Sequence, residues 1–483
     1  MTAKNILFRY KLWFLFLLFV VFQFSGCNDN STSSGPNPDP EPEPDPINME
    51  SALPQLSITL QGEEIVDEPK VPATLKVYEE GGVTYNGHIG IEYRGATSQA
   101  LFDKKSFGIE TWDENGNDID VDLLGFPEEE DWILYGPYSD KTLIRNKFVY
   151  TLARDLGHYA SRTRFAEVYL DGEYWGMYLF MEKIKRDDVR LDLSGLDPDE
   201  NGPEEITGGY ILKIDKTAGD PGGGDATYTE LLGFRSEYSV SGDELNYAPY
   251  GGKQSEETYF LYEDPAYEDI TDQQKEYIQS YIHEFETALL NDTDGDFDGE
   301  YTFTDYVDLD SFVDFFLLNE LAHNADAYRL STFMYKDRGG KLNMGPVWDF
   351  NLSMGNDEQE FRRSPETWIY QYNQFIPDDL WLVPFWWEKL ADDPMFRSKV
   401  KQRWQELRTN EWSDQSLDQL ITNLTQPLID DGAVDRNFKR WPVLGEHVWG
   451  NHFVGDTYEE EVQYLRGWLD QRLTWMDAEL ASW

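Results

Sequence analysis

The sequence predicts an α+β fold with a strand-rich N-terminal part and a helical, tryptophan-rich C-terminal part. Between Gln55 and about Lys213, short segments alternate apolar and polar residues and are separated by turn residues, as is typical of strands. After Leu380, apolar residues recur at helical spacing and tryptophan is frequent. With 40% hydrophobic and 15% aromatic residues, the chain has enough apolar material for a large core.

Turn and stop residues define individual elements. Asp171-Gly172 lies between two alternating runs and predicts a hairpin, because this dipeptide suits the positive φ angles of a tight hairpin turn. Apolar spacing predicts a helix over Thr142–Leu156 that stops at Gly157. The same spacing predicts another helix over Asp272–Leu290.

The charge balance excludes several classes of protein. The chain has 92 Asp plus Glu against 40 Lys plus Arg, a formal charge of −52. We expect no nucleic-acid partner, since affinity for a phosphate backbone is built on Lys and Arg. The single cysteine, Cys27, excludes an intramolecular disulfide and a cysteine-based zinc site.

The N-terminus predicts an exported, lipid-anchored protein. Residues 1–26 read as a signal peptide, in which basic residues precede an apolar run too short to span a bilayer comfortably. The run closes on Phe24-Ser25-Gly26-Cys27, which resembles the lipobox of bacterial lipoproteins and implies lipidation of Cys27. We therefore expect attachment to a bacterial cell-envelope membrane, facing the periplasm or the cell surface; an uncleaved membrane anchor is the alternative.

Residues 27–50 predict a tether. Proline alternates there with acidic residues, a composition that cannot form a core and favours an extended chain. The folded domain is therefore predicted over residues 51–483.

The segment Asp308–Asn356 contains the first candidate site. Asp308 or Asp310 can cap a helix whose apolar residues fall three and four positions apart. This helix should end near His323-Asn324, which leaves Asp326 in a loop.

A hairpin is predicted to follow, with Ser331–Tyr335 and Leu342–Trp348 as its strands. A register that places Lys336 opposite Lys341 also places Asp326 opposite Asn351. Because residues two apart on a strand share a face, Asp326, Asp349 and Asn351 would point the same way. Such oxygen ligands suit Mg²⁺, which binds through one or two carboxylates together with substrate phosphates.

A basic hairpin is the candidate phosphate-binding element. Small residues after Arg94 let backbone N–H groups approach a phosphate, and Arg94, Lys104 and Lys105 supply positive charge. The alternative is an exposed hairpin with solvated lysines. Lys213 lies in mid-strand among apolar residues, where it either contacts phosphate or pairs with a neighbouring carboxylate.

An acidic loop gives a calcium candidate. Asp294, Asp296, Asp298 and Asp305 have the ligand spacing of an EF-hand loop, although the last position normally holds Glu. We expect weak Ca²⁺ binding here, with a flexible acidic loop as the alternative.

An ordered series of short motifs resembles the CotH kinase-like family, named for a spore-coat protein. The series runs from Arg94-Gly95-Ala96-Thr97-Ser98 and Lys104-Lys105-Ser106-Phe107 through Trp132-Ile133-Leu134, Ile144-Arg145-Asn146, Glu167–Tyr178, Asn319-Glu320 and Asn324-Ala325-Asp326 to Pro346-Val347-Trp348-Asp349-Phe350-Asn351. The resemblance covers nearly the whole mature chain, from about Leu53 to Trp483.

The resemblance implies an atypical protein kinase-like fold and phosphate transfer from ATP to serine of a protein acceptor, with Mg²⁺ or Mn²⁺. Asp326 then matches the catalytic aspartate and Asp349 the metal-holding one. Asn351 stands where many members have a second aspartate, and a neutral amide there weakens metal binding.

Two functions remain open at this point. One is a CotH-like kinase, although an exported lipoprotein meets little ATP. The other is a non-catalytic envelope lipoprotein that binds polysaccharide or protein partners, with its 16 Trp and 29 Tyr as stacking platforms. A kinase fold that has lost its chemistry would reconcile the two.

Overall fold

The computed structural model describes residues 47, 51–217, 227–250, 253–291 and 302–483. Within these ranges the α+β class is confirmed, with strands concentrated before residue 265 and helices after it. The predicted signal peptide, Cys27 and almost all of the tether lie outside the described residues.

The N-terminal strands form a closed sheet, which the sequence did not lead us to expect. Their order around the sheet is β1-β2-β3-β4-β5-β7-β6, closed by parallel pairing of β1 with β6. Its members are β1 (Gln55–Leu60), β2 (Val71–Glu79), β3 (Gly82–Arg94), β4 (Ser106–Trp112), β5 (Asp131–Tyr135), β6 (Thr163–Leu170) and β7 (Glu173–Glu182). Inward residues such as Leu56, Ile91 and Val168 are fully buried and fill its interior.

The predicted β6–β7 hairpin is confirmed. Leu170 pairs with Glu173, and Asp171 and Gly172 both have positive φ angles, as a two-residue turn of this kind requires.

A second sheet has the order β12-β11-β8-β10-β9. Its strands are β8 (Tyr210–Ile214), β9 (Gly233–Ser239), β10 (Glu257–Asp264), β11 (Thr332–Lys336) and β12 (Leu342–Met344). All of its neighbouring strands run antiparallel.

The helices supply much of the large core. They are α1 (Thr97–Leu101), α2 (Arg145–Asp155), α3 (Asp272–Asn291), α4 (Phe303–Tyr306), α5 (Leu309–Ala322), α6 (Glu360–Arg363), α7 (Tyr372–Phe375), α8 (Trp386–Asp392), α9 (Pro394–Thr409), α10 (Asp414–Asp430), α11 (Ala433–Arg440) and α12 (Tyr458–Ser482). Helix α3 packs against β9, and α5 packs against β12. The predicted helices over Thr142–Leu156 and Asp272–Leu290 correspond to α2 and α3. In the described ranges, none of the helices has the length and apolar character needed to cross a bilayer.

Most tryptophans are packing residues. Trp132, Trp386, Trp387 and Trp412 are fully buried, and of the tryptophans that the structure describes only Trp449 is exposed. Their area stabilises the core, because burying a large apolar side chain contributes about 1.5–3 kcal/mol.

Candidate active site

Helix α5 delivers Asp326 to the site as the sequence predicted. The Asp308 carboxylate caps the helix by accepting the N–H of Ser311 at 2.9 Å. The helix ends at His323, which takes a left-handed conformation with φ 45°. Asp326 follows in a turn, partly exposed.

The predicted hairpin register is wrong by one residue. Lys336 pairs with Leu342 in place of Lys341, and the pairing ends at Met344. The chain then leaves strand geometry, with positive φ at Gly345 and Asp349. A loop therefore presents Asp349, and no continued ladder aligns it with Asp326.

Two loops nevertheless bring Asp326 and Asp349 together. The Asn324 amide donates from Nδ2 to the carbonyl of Asp349 at 3.2 Å, and its Oδ1 accepts the N–H of Asp326 at 3.3 Å. The backbone adds an N–H of Ala325 to the carbonyl of Leu352 at 2.9 Å. Asn324 thus fixes the spacing of the two loops.

Helix α2 supports the second loop and explains another of the motifs. The hydroxyl of Tyr150 accepts the N–H of Asp349 at 3.2 Å, and Oδ1 of Asn146 accepts the N–H of Phe350 at 2.6 Å. Arg145 donates from Nε to the carbonyl of Ser353 at 3.1 Å. The Ile144-Arg145-Asn146 motif is therefore a support for the Asp349 loop.

The site concentrates negative charge on three carboxylates. Burial, together with the neighbouring charges of Asp326 and Asp215, raises the pKa of Asp349 to about 7. Burial also raises the pKa of Asp215, again with Asp326 adding to it. The charge of Asp326 thus opposes the ionisation of both Asp349 and Asp215, and a bound divalent cation would offset this repulsion.

Asp215 was missed in the sequence analysis. It follows Lys213 by two residues at the end of β8, and the alternation of a strand places both on one face. The two-residue spacing between Lys213 and Asp215 is the signal from which the sequence could have predicted Asp215 as a site residue. Asn351 contacts Asp349 through its backbone N–H, and its carbonyl accepts Nδ2 of Asn356 at 2.8 Å.

Cations lie near these carboxylates. Lys213 forms an ion pair with Glu263 at 2.9 Å, which is one of the two alternatives predicted for it, and its contact with phosphate stays a prediction. Burial alone would raise the pKa of Glu263, but Lys213, Lys183 and Arg94 hold it below its ordinary value. Lys183, at the end of β7, is a second residue that sequence reasoning missed.

Arg94 is the member of the basic hairpin that lies near the Asp349 loop. Its guanidinium lies 6.0 Å from the centroid of the Trp348 ring, which stacks on Tyr150. Within the described residues it forms no ion pair. In a chain of this acidity, such a cation is available to a ligand.

The two lysines of the hairpin point elsewhere, which corrects the expectation that they contact phosphate. Lys104 is fully buried, and its ammonium donates to the carbonyl of Met177 at 2.6 Å and to Oδ1 of Asn437 at 2.9 Å. Burial lowers the pKa of Lys104 well below its ordinary value. Lys105 donates to the carbonyls of Gln99 and Phe102 and closes the loop around α1.

The acidic loop predicted to bind Ca²⁺ lies mostly outside the described residues. Asp294, Asp296 and Asp298 fall outside the described residues, and Asp305 caps the short helix α4 by accepting the N–H of Thr302. The predicted Ca²⁺ loop stays a prediction. In the described part of the chain, one set of three acidic residues brings ligand atoms within 4.8 Å, namely Asp120, Glu129 and Glu130. Lys185 already neutralises two of them, with its ammonium 2.8 Å from Glu129 and 2.5 Å from Glu130.

The carboxylates of the site fit Mg²⁺ or Mn²⁺ better than a cation that requires a closed cage. Asp215, Asp326 and Asp349 are not among the sets with ligand atoms within 4.8 Å. Mg²⁺ keeps several waters and usually takes only one or two carboxylates, with substrate phosphates as further ligands. Asp349 would hold the ion, and a bound ion would supply charge neutralisation for a phosphate group.

Comparison with known proteins agrees with the motif series. The model of the family described as CotH kinase protein matches residues 91–476. That range includes α2, α5 and every residue of the site described above. No curated protein matches the chain. Because the family model covers most of the sequence, the chain belongs to the CotH kinase family.

Proposed function

We propose that the protein transfers phosphate from ATP to a hydroxyl group, with serine of a protein as the acceptor, and that it has an atypical kinase-like fold. One observation carries the proposal: two loops joined through Asn324 bring Asp326 and Asp349 within electrostatic reach of each other, and Lys213 and Arg94 act on the neighbouring carboxylates Asp215 and Glu263. Phosphoryl transfer asks a protein mainly for positioning and charge stabilisation. Both are supported by these residues.

The roles follow from the placement of each group. Arg94 and Lys213 face the phosphates, and Glu263 orients Lys213 through the 2.9 Å ion pair. Asp349 holds the divalent cation, with Asp215 as a nearby second carboxylate. Asp326 receives the acceptor hydroxyl because it is the partly exposed carboxylate of the α5 loop.

The proposed transfer replaces one bond at the γ-phosphorus of ATP with another. The acceptor oxygen forms a bond to the γ-phosphorus, while the bond from that phosphorus to the β–γ bridging oxygen breaks and ADP leaves. The hydroxyl proton passes to Asp326, which later returns it to solvent. General-base catalysis of this kind contributes roughly 10²–10⁴-fold in rate.

The test is ATP binding and phosphate transfer by the full-length chain with Mg²⁺ or Mn²⁺, beside Asp326→Ala and Asp349→Ala. We expect Asp326→Ala to keep ATP binding and to lose about 10²-fold or more in transfer rate. Asp349→Ala should weaken metal-dependent ATP binding as well. A wild-type chain that binds no nucleotide would rule out the kinase function and favour a binding protein. Phosphate transfer at the wild-type rate in both variants would instead remove Asp326 and Asp349 from the catalytic site.

A further inference from the structure

Arg329 contacts the proposed catalytic aspartate directly. It lies three residues after Asp326, and its Nη2 donates to Oδ1 of Asp326 at 3.0 Å. The Arg329 side chain is only 3% exposed, against 18% for that of Asp326. The pair is therefore anchored on the arginine side and open on the aspartate side.

Every other edge of this guanidinium is also occupied. Nε donates to the carbonyl of Ala325 at 3.0 Å, and Nη1 donates to the carbonyl of Trp381 at 3.2 Å. Asp379 lies 3.7 Å from Nη1, and the guanidinium lies 4.2 Å from the centroid of the Tyr372 ring. A planar group held by three hydrogen bonds and a ring face has one orientation, so it transmits that orientation to Asp326.

We infer that Arg329 is a positioning residue for Asp326, an inference that rests on the proposed function. By occupying Oδ1 it leaves Oδ2 as the oxygen that faces the acceptor hydroxyl. The contacts to Trp381, Asp379 and Tyr372 join this orientation to the segment 372–381. A small displacement of a catalytic group costs on the order of 10²-fold in rate, because the reacting atoms lose alignment.

A purely structural role of Arg329 would lead to a different result. If Arg329 only tied segment 372–381 to the α5 loop, its removal would lower stability and leave the turnover of the folded fraction unchanged. Arg403 gives a matched control, since its guanidinium binds Asp314 through Nε at 2.7 Å and Nη2 at 3.0 Å. That pair touches none of the site residues.

The experiment compares Arg329→Gln, Arg329→Lys and Arg403→Gln in the full-length chain, with kcat and the KM for ATP measured on folded protein. We expect Arg329→Gln to lower kcat by about 100-fold while the KM for ATP stays within about twofold. Arg329→Lys should recover part of kcat, and Arg403→Gln should keep it. A folded Arg329→Gln variant with wild-type kcat, or with a change in KM alone, would overturn the inference.

Two further measurements separate this inference from the proposed function. Asp379→Asn removes the negative charge that lies 3.7 Å from Nη1 of Arg329, and it should lower kcat several-fold. This variant tests the inference even if Arg329→Gln does not fold. An unchanged kcat would count against a positioning role. If the wild-type chain transfers no phosphate, the proposed function fails, and crystal structures of Asp379→Asn and Arg329→Gln decide the positioning role. An Asp326 side chain that keeps its wild-type rotamer in both variants would overturn it.

Discussion

The hairpin from Arg94 to Phe107 and the loops from Asn324 to Asn351 both contain charged motif residues, yet they direct those charges differently. In the loops, Asp326 and Asp349 lie close enough to act on each other electrostatically. In the hairpin, Lys104 is fully buried against Met177 of β7 and Asn437 of α11, whereas Arg94 lies against Trp348 of the Asp349 loop. Charged residues of a motif can therefore hold the fold together as well as bind a ligand.

Substitution of Lys104 tests most strongly whether the buried lysine of the hairpin stabilises the fold or binds phosphate. Lys104→Met removes a buried donor to the carbonyl of Met177 and to Oδ1 of Asn437, which then keeps only the N–H of Met177, so we expect the free energy of unfolding to fall by about 1–3 kcal/mol. ATP affinity should stay within about twofold of wild type. Urea unfolding and nucleotide titration measure the two quantities.

Lys105→Met is the matched control for this prediction. The carbonyls that Lys105 contacts belong to the partly exposed loop around α1, where water can replace the ammonium. Its effect on stability should be smaller than that of Lys104→Met. A stable Lys104→Met variant with lost ATP binding would restore the phosphate-contacting role.

Arg94 gives the complementary prediction within the same hairpin. Arg94→Gln removes a cation that has no ion pair among the described residues, so stability should change little. ATP affinity should fall about tenfold, equivalent to about 1.4 kcal/mol. Isothermal titration beside Lys105→Gln checks this, and equal affinities for the two variants would place the phosphates elsewhere.

Glu286 tests whether a buried carboxyl group outside the proposed site affects only the stability of the fold. It is 1% exposed and accepts hydrogen bonds from Ser236 at 2.7 Å and Trp386 at 2.9 Å. Burial raises the pKa of Glu286 to about 8. Between pH 4.5 and 8 the folded state keeps a proton that the unfolded state has lost, so stability should fall as pH rises, by about 1 kcal/mol per pH unit.

Glu286→Gln should flatten this dependence, as measured by unfolding at several pH values between 5 and 8. Phosphate transfer should not respond to the substitution at a given pH. A variant with the wild-type pH slope would show that Glu286 ionises normally in the folded protein.

Local sequence patterns predicted the elements that present the site. The Asp308 cap and the apolar spacing that follows it fix α5, and its end at His323 leaves Asp326 in a loop. The Asp171-Gly172 turn fixes the β6–β7 hairpin in the same way. These features depend on residues close together in the chain.

Other features depend on contacts that no local pattern encodes. Burial of Lys104 depends on Asn437, 333 residues away in the chain, whose Oδ1 accepts a hydrogen bond from the ammonium group. The register prediction failed because β12 ends at Met344 and positive φ angles at Gly345 and Asp349 turn the chain out of the sheet. Closure of the seven-stranded sheet likewise needs the pairing of β1 with β6, more than 100 residues apart.

A crystal structure of the full-length chain with Mn²⁺ and a non-hydrolysable ATP analogue tests the proposed site most directly. We predict an anomalous peak for a manganese ion coordinated by a carboxylate oxygen of Asp349. The phosphates should lie against Arg94 and Lys213, with the γ-phosphate nearest Asp326. Manganese and nucleotide bound away from this site, or a site that stays empty at saturating ligand, would contradict the assignment of these residues to phosphate transfer.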